Sequence, residues 1–387
     1  MDSINRVYLD YTATTPVRDE VVAAMLPFFS AGYGNPSSLY EEGRRAKQCL
    51  EEARHRVAVC LGAEASEIFF TSGGTESNNW AIRGAALRNQ EKGRHVITTS
   101  VEHHSVLHSF RALEREGFSV TYLPVDTDGL VSAEQVAAAI RPDTILVSVM
   151  VANNEVGSVL PVSEIAAVCR ERKVLFHTDA VQAAGAMSLD VRLLGADLLS
   201  ISGHKFYGPK GVGVLYVRKG TSLSKLMEGG AQERDRRAGT ENLPGIVGLA
   251  TALELAQSEV EVTGTGLAEI RDSLIAEIEE QIPGCRLNGH RSLRLPGNVN
   301  FSFADIEGES LLLLLDREGY ACSSGSACAS GAIDPSHVLL AMGRTPQEAR
   351  GSLRISLGRG NSRDAVLSVV PVLKRIVERL RGFVAGK

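Results

Sequence analysis

The chain contains 387 residues, of which 44% are hydrophobic and 22% are charged, and its formal net charge is −5. This composition is typical of a soluble globular protein, and the acidic balance argues against a nucleic-acid or anionic-membrane partner. No apolar run approaches the roughly 20 residues of a membrane span, and we expect no secretory signal at the N-terminus. The six scattered cysteines contain no CxxC pair, which favours a reducing cytoplasm and indicates no metal site.

From about residue 60 to residue 260, short β-rich runs alternate with longer helical stretches. The predicted strands are residues 67–71, 95–100, 119–123, 144–149, 174–178, 198–202 and 213–217. The predicted helices between them include residues 76–90, 106–116, 133–139 and 162–170. Such alternation predicts a mostly parallel sheet that is covered by helices on both faces. The strand–turn–strand segment 196–217 interrupts the alternation and predicts an antiparallel neighbour.

The pattern changes after about residue 260. A predicted helix at 267–281 is followed by strands at 298–303 and 352–357 and by a last helix from about residue 364. Pro371 predicts either a bend in that helix or a late start. We therefore expect a large domain over 14–260. The smaller α+β domain would consist of 1–13 and 261–387.

A glycine pair opens the first long helix of the alternating region. The segment Ser72-Gly73-Gly74-Thr75 follows a predicted strand, and paired glycines let the backbone turn sharply and approach a ligand. The free N–H groups and the positive end of the helix suit an anion, above all phosphate. The alternative is an ordinary strand-to-helix turn that Thr75 or Ser77 caps.

Three more polar sites follow predicted strands. His103 follows the second strand, where an imidazole can stack on a flat ring and transfer protons. Asp179 ends the fifth, and a buried carboxylate there needs a cationic partner such as a protonated pyridine nitrogen. Asn153 and Asn154 follow the fourth and offer neutral amide donors. Each site also has a structural alternative. His103 could be a hydrogen-bonded structural histidine, Asp179 could cap a helix, and the two asparagines could form a turn.

Lys205 ends the turn Ser-Gly-His-Lys between two predicted strands. A lysine held deep in a site loses basicity and can form a Schiff base with an aldehyde. The alternative is a solvated turn lysine, since lysine is rarely buried. These features together match pyridoxal phosphate. The glycine pair suits its phosphate and His103 its flat ring, while Asp179 suits its ring nitrogen and Lys205 its aldehyde. The sequence therefore predicts this cofactor.

With these motifs in place, the chain resembles the NifS/IscS family of cysteine desulfurases over nearly its whole length. That family consists of pyridoxal phosphate enzymes with the aspartate aminotransferase fold, and the resemblance implies an α/β protein of fold type I. The motifs that carry it are residues 9–16, 34–38, 71–78, 102–103, 153–157, 177–182, 202–205, 237–240, 323–328 and 354–359.

The resemblance implies a role for each cofactor-binding residue. Lys205 would be the Schiff-base lysine, Asp179 would pair with the pyridine nitrogen, and His103 would stack on the ring and transfer protons. Asn154 and Gln182 would contact the ring oxygen. The residues that would hold the phosphate are Gly74, Thr75, Ser202 and His204.

The resemblance also implies a substrate site and a partner subunit. Arg354 lies within an apolar strand, where a charged side chain needs a partner, and the family implies that it binds the α-carboxylate of L-cysteine. Asn35 and Asn154 would lie beside it. Thr240 would reach the phosphate bound in the partner subunit, so a homodimer is implied. Tyr40 stands where many relatives carry histidine, which leaves the role of that position open.

Cys328 lies in a stretch of small residues, 322–331, that predicts a mobile loop. The resemblance implies that Cys328 is the nucleophile and the persulfide carrier, because a thiolate on such a loop can attack sulfur and carry it outward. The alternative is a small buried cysteine. Cys322 lies nearer the preceding apolar segment and is predicted to be structural.

The predicted activity is therefore that of a cysteine desulfurase. L-Cysteine would give L-alanine and a persulfide on Cys328, which would donate sulfur for iron–sulfur cluster assembly or other thio-cofactors. A scaffold protein is one possible acceptor, and we expect the C-terminal tail that some relatives use to contact it to be shortened or missing. The alternatives are a selenocysteine lyase and a non-catalytic assembly subunit.

Overall fold

The computed structural model describes residues 6–324 and 334–385. Its strands are β1 (Val7–Tyr8), β2 (Ile68–Thr71), β3 (His95–Thr99), β4 (Ser119–Leu123), β5 (Thr144–Ser148), β6 (Leu175–Asp179), β7 (Leu198–Ser202), β8 (Gly213–Val217), β9 (Cys285–Leu287), β10 (Asn298–Phe303), β11 (Tyr320–Ala321) and β12 (Ser352–Ser356). Its helices are α1 (Asp19–Met25), α2 (Glu41–Leu61), α3 (Gly74–Asn89), α4 (His104–Arg115), α5 (Ala133–Ala139), α6 (Val162–Glu171), α7 (Val191–Leu194), α8 (Gln232–Asp235), α9 (Leu243–Gln281), α10 (Gly308–Arg317), α11 (His337–Ala341), α12 (Pro346–Arg350), α13 (Arg363–Leu367) and α14 (Val369–Ala385).

A seven-stranded sheet in the order β2-β8-β7-β6-β5-β3-β4 forms the centre of the molecule. The five strands from β7 to β4 pair in parallel, whereas β8 is antiparallel to both of its neighbours. The predicted mostly parallel sheet and its antiparallel neighbour are both confirmed. Every residue of β3, β5, β7 and β8 is buried, as expected for strands that are covered on both faces.

Helices cover the two faces of this sheet with separate hydrophobic clusters. Along β7, Leu198 belongs to a cluster with Trp80 of α3 and Phe110 of α4. The adjacent Leu199 belongs to the cluster that contains α2, α6 and the first half of α9. Successive side chains of a strand point to opposite faces, so the continuous apolar run of β7 supplies both layers.

The long helix α9 contributes to two hydrophobic cores. Leu253, in its first half, packs into the core of the large sheet, and Leu274, in its second half, packs against β10 and β12. The prediction that this helix begins at residue 267 is wrong, because Asn242 caps a start at Leu243. The predicted domain division at residue 260 falls inside α9 and stays a prediction.

The antiparallel sheet β12-β10-β9 lies beyond α9, and β1 pairs in parallel with β11. Leu9, just after β1, is fully buried in the second core. The late start predicted from Pro371 is confirmed, since α13 ends at Leu367 and Pro371 lies in the first turn of α14.

Helices α1 and α2, both before residue 62, were not predicted. Half of the buried residues of α2 are alanine or glycine and another is Arg54, so Leu50, Val57 and Leu61 alone mark its apolar face and the periodicity is weak. Within the described part of the chain, none of the helices combines the length and the apolar character needed to cross a bilayer.

Candidate active site

A cavity of about 420 Å³ opens where several strands of the large sheet end. Parallel strands place their carboxyl ends at one edge, which is where such sheets bind ligands. The predicted site residues that line it are Gly74, Thr75, His103, Asn154, Asp179, Gln182, Ser202, His204, Lys205 and Arg354. The residues that also line it but were not predicted are Thr12, Ala13, Asn78, Ser105, Met150 and Val181.

The glycine pair forms the start of α3 at this cavity. Gly73 has a φ of 151°, a conformation that favours glycine, and no side chain caps the helix. A Cβ atom on Gly74 would lie 2.7 Å from Cγ2 of Val181, so the site has no room for a larger residue there. The uncapped start of a 16-residue helix, with glycine where the backbone meets the cavity, suits an anion.

Asp179 ends β6 with its carboxylate fixed by two hydrogen bonds. Its Oδ2 accepts from Nδ2 of Asn78 at 2.7 Å, and its Oδ1 accepts from the backbone N–H of Val181 at 2.9 Å. Asp179 is 5% exposed. The Oδ1 atom of Asn78 is buried without a partner among the described residues, so the wall of the cavity offers an acceptor to a bound group.

His103 is held in one tautomer by Ser105. Its Nδ1 accepts from the backbone N–H of Ser105 at 3.1 Å, so the proton of the neutral ring lies on Nε2. The Ser105 hydroxyl accepts from Asn78 at 2.9 Å and lies 2.7 Å from Nδ1, to which it can donate its hydrogen. Burial lowers the pKa of His103, although Asp179 opposes this effect, so the ring is neutral at neutral pH.

Replacing Ser105 with alanine is expected to raise the pKa of His103. The hydroxyl stabilises the neutral ring, and its loss favours the protonated ring. Titration of His103 by NMR would measure the change in pKa. Activity that requires the neutral ring would also be lost at a higher pH than in the wild type as the solution is acidified. Ser109→Ala is the matched control, because the Ser109 hydroxyl donates to the backbone carbonyl of Ser105 and has no other partner among the described residues. An unchanged His103 pKa in Ser105→Ala would contradict the assignment.

Lys205 ends the short helical turn between β7 and β8. Its Nζ donates to the backbone carbonyls of Thr12 and Ala13 at 2.6 and 2.8 Å. The Nε2 of Gln182 donates to the same Thr12 carbonyl at 3.2 Å. The N-terminal segment thus reaches the predicted catalytic lysine.

His204 precedes this lysine and is a neutral hydrogen-bonding group, because burial and the charge of Lys205 lower its pKa to about 4.

Glu102 lies buried beside the cavity. Its Oε1 accepts from the Thr99 hydroxyl at 2.8 Å and from the backbone N–H of Met150 at 3.0 Å. Burial raises the pKa of Glu102 to about 8, and the nearby Asp179 acts in the same direction. We therefore expect a protonated carboxylic acid at neutral pH, which supports Met150 in the cavity wall without adding a charge.

Two of the predicted site residues that the structure describes, Asn35 and Thr240, do not line this cavity. Asn35 is exposed, and its side chain accepts from the backbone N–H of Ser37 at 2.9 Å. Thr240 is exposed and lines a separate cavity of about 170 Å³, which Ser72 also lines beside the glycine pair. Cys328 lies outside the described residues. Tyr40 is exposed and precedes α2.

Two of the unpredicted residues had signals in the sequence. Asn78 lies four positions after Gly74, and residues i and i+4 share one face of a helix. Ser105 lies two positions after His103, the spacing at which a side chain that begins a helix binds a backbone N–H. Both signals depend on the observed helix starts at Gly74 and His104, which lie two residues before the predicted starts at 76 and 106.

Comparisons with known proteins agree with this fold. The family model described as aminotransferase class-V matches residues 7–369. A cysteine desulfurase IscS from Methanosarcina thermophila is 55% identical over 377 residues, which cover 97% of this chain and 93% of that protein. A solved structure of a NifS-like protein has a TM-score of 0.90 and 39% identity, covering 96% of this chain and 99% of the other.

A second solved structure, SspA in complex with cysteine, has a TM-score of 0.80 and 40% identity, and the match covers 90% of this chain and 98% of that one. The sheet, the cavity at its strand ends and these matches define a class-V aminotransferase fold, which confirms the predicted fold type I architecture. The chain belongs to the class-V aminotransferase family and, within it, to the cysteine desulfurases of the NifS/IscS type.

Proposed function

We propose that this enzyme uses pyridoxal phosphate to convert L-cysteine into L-alanine and a persulfide on Cys328. The observation that carries the proposal is the cavity that brings Lys205, Asp179, His103 and Arg354 together. The relative solved in complex with cysteine supports the choice of substrate.

The residues present fit the cofactor. The uncapped helix start at Gly74 suits its phosphate, and the buried carboxylate of Asp179 suits a cationic ring nitrogen. Lys205 would bind the aldehyde, while Asn154 and Gln182 would hold the ring oxygen. The side chains that would complete the phosphate site are those of Thr75, Ser202 and His204. When bound, pyridoxal phosphate withdraws electrons from the α-carbon of an amino acid and so eases bond breaking there.

The residues of the chain supply the remaining chemistry. Arg354 would bind the α-carboxylate, and the Lys205 amine would move the α-proton. His103, neutral and protonated on Nε2, is a proton donor within the same cavity. The Cys328 thiolate would attack the substrate sulfur. A sulfur–sulfur bond forms, the carbon–sulfur bond breaks, and the carbon fragment gains a proton to become L-alanine, so no external oxidant is needed.

The other cysteines support this choice of nucleophile. Burial raises the thiol pKa of all five cysteines in the described ranges, to about 11 for Cys60 and about 12 for Cys169; the others are Cys49, Cys285 and Cys322. Asp10 acts in the same direction at Cys322. A thiol with a raised pKa stays protonated at neutral pH and is a poor nucleophile.

We propose in addition that two copies form a homodimer in which Thr240 approaches the cofactor phosphate of the partner subunit. The exposure of Thr240 and its position near Ser72 support this arrangement. The persulfide would then pass to a cytoplasmic acceptor such as an iron–sulfur scaffold protein, in keeping with the relatives named IscS.

The proposed function is tested by incubating the purified, cofactor-loaded protein with L-cysteine and a reductant. We expect equal amounts of L-alanine and sulfide and, without the reductant, an additional sulfur atom on Cys328 by mass spectrometry. L-Selenocysteine is tested in parallel. Turnover of L-selenocysteine alone would favour a selenocysteine lyase, and no turnover of either amino acid would favour a non-catalytic assembly subunit.

A further inference from the structure

The guanidinium of Arg354 already has a carboxylate partner in the protein itself. Its Nη2 donates to Oδ1 of Asp10 at 2.8 Å, and its Nη1 donates to the backbone carbonyl of Asn154 at 3.1 Å. The Arg354 side chain is 5% exposed and that of Asp10 is 18% exposed. This ion pair is therefore largely shielded from solvent, where the removal of one partner has a large effect.

The same guanidinium also keeps N–H donors that none of the described residues uses. Arg354 lines the cavity, and its Nε is buried without a partner among the described residues. A buried N–H without an acceptor is unfavourable, and carboxylates are strong acceptors for guanidinium groups. Asp10 and Asn154 each accept one hydrogen from a different terminal nitrogen, so the Nε–H and the second hydrogen of each terminal nitrogen remain for a carboxylate in the cavity.

The backbone holds Asp10 in place from both sides. Ser356 on β12 donates its N–H to the carbonyl of Leu9 at 2.8 Å and accepts from the N–H of Tyr11 at 3.3 Å. The Ser356 hydroxyl accepts from the N–H of Thr12 at 2.9 Å. Arg354 lies two residues before Ser356 on the same strand, so the carboxylate and the guanidinium are carried by directly bonded backbone segments.

We propose that Asp10 is a positioning residue that orients Arg354 for the α-carboxylate of the substrate. This inference rests on the proposed function and adds a residue to its substrate site. Asp10 neutralises the buried Arg354 cation in the absence of substrate and restricts the rotation of its guanidinium. If Asp10 instead competed with the substrate for Arg354, its removal would tighten substrate binding.

The test is a set of three variants of the cofactor-loaded enzyme. Asp10→Ala is expected to raise the KM for L-cysteine about tenfold, because a hydrogen bond to a charged group is lost, with little change in kcat. Asp10→Glu, which keeps the charge but displaces it, is also expected to raise KM. Asp10→Asn keeps an acceptor oxygen without repelling the substrate, and its KM is expected to equal or fall below that of the wild type.

Ligand binding, followed by the absorbance of the bound cofactor, separates orientation from general damage to the site. We expect Asp10→Ala to weaken binding of L-alanine, which carries a carboxylate, and to leave cysteamine, which lacks one, unaffected. Asp316→Ala is the matched control, since Asp316 binds Arg6 of the same N-terminal segment in an exposed ion pair. Its KM is expected to match that of the wild type.

Several outcomes would overturn the inference. A lower KM in both Asp10→Ala and Asp10→Asn would mean that Asp10 competes with the substrate. Equal weakening of L-alanine and cysteamine would mean that Asp10 is only structural. If Asp10→Ala does not fold, the inference fails when Asp10→Glu has the KM of the wild type. Absence of cysteine turnover in the wild-type protein would instead refute the proposed function.

Discussion

Cys328→Ser is expected to lower L-alanine formation from L-cysteine by more than about a thousandfold, because a serine hydroxyl lacks the nucleophilicity of a thiolate. No persulfide should form. The visible absorbance of the bound cofactor should be unchanged, since the cavity residues around Lys205 and Asp179 are intact. Alanine quantification and mass spectrometry of the protein after a single turnover would measure both effects.

Cys322→Ser is the matched control for this variant. Cys322 is six positions earlier in the chain, and burial together with the nearby Asp10 carboxylate raises its thiol pKa well above the ordinary value. A thiol that stays protonated contributes little nucleophilicity, so we expect alanine formation within about threefold of the wild type. Loss of the persulfide in Cys322→Ser, with retention in Cys328→Ser, would reverse the assignment.

The parts of the site that follow strands could be predicted from the sequence. His103, Asp179 and Lys205 each lie at or just after the end of a short apolar run. Because strand ends meet at one edge of a mostly parallel sheet, a correct prediction of the strands also predicts that these side chains lie near one another. Their spacing along the chain was not needed for this inference.

The contacts made by the N-terminal segment could not be predicted in the same way. Asp10 and Arg354 are 344 positions apart, and the Thr12 carbonyl is 193 positions from the Lys205 amine that it binds. Local periodicity determines which residues are buried but not which distant segments meet. Every residue has a backbone carbonyl, so the residue types do not indicate which carbonyls accept hydrogen bonds from Lys205.

The N-terminal segment therefore acts on both halves of the site. Its backbone carbonyls at Thr12 and Ala13 hold the Lys205 amine, and its Asp10 carboxylate holds the Arg354 guanidinium. The lysine is carried by the large sheet and the arginine by β12 of the small sheet. A short segment that binds both groups fixes the distance between the predicted proton-transfer group and the predicted carboxylate site.

Lys205→Ala is expected to lower turnover of L-cysteine by more than about a thousandfold. Among the described residues that line the cavity, Lys205 alone has an amine that can bind the cofactor aldehyde covalently and move the α-proton. Borohydride reduction followed by peptide mapping should attach the cofactor to Lys205 in the wild type and leave it unattached in the variant. Lys205→Arg should be equally inactive, since a guanidinium stays protonated although it can donate to the Thr12 carbonyl.

Lys210→Ala is the matched control, because Lys210 is exposed in the same connection between β7 and β8. We expect it to have the turnover of the wild type. A Lys205→Ala protein that kept its turnover would contradict the proposed role of the lysine.

The lysine and cysteine variants should also differ in the step that they lose. In deuterated water, Cys328→Ser retains Lys205 and is expected to exchange the α-proton of L-alanine for deuterium at about the rate of the wild type. Lys205→Ala is expected to lose this exchange together with desulfuration. Exchange that disappeared in Cys328→Ser would mean that the cysteine takes part in proton transfer. Exchange that persisted in Lys205→Ala would mean that a group other than Lys205 removes the α-proton.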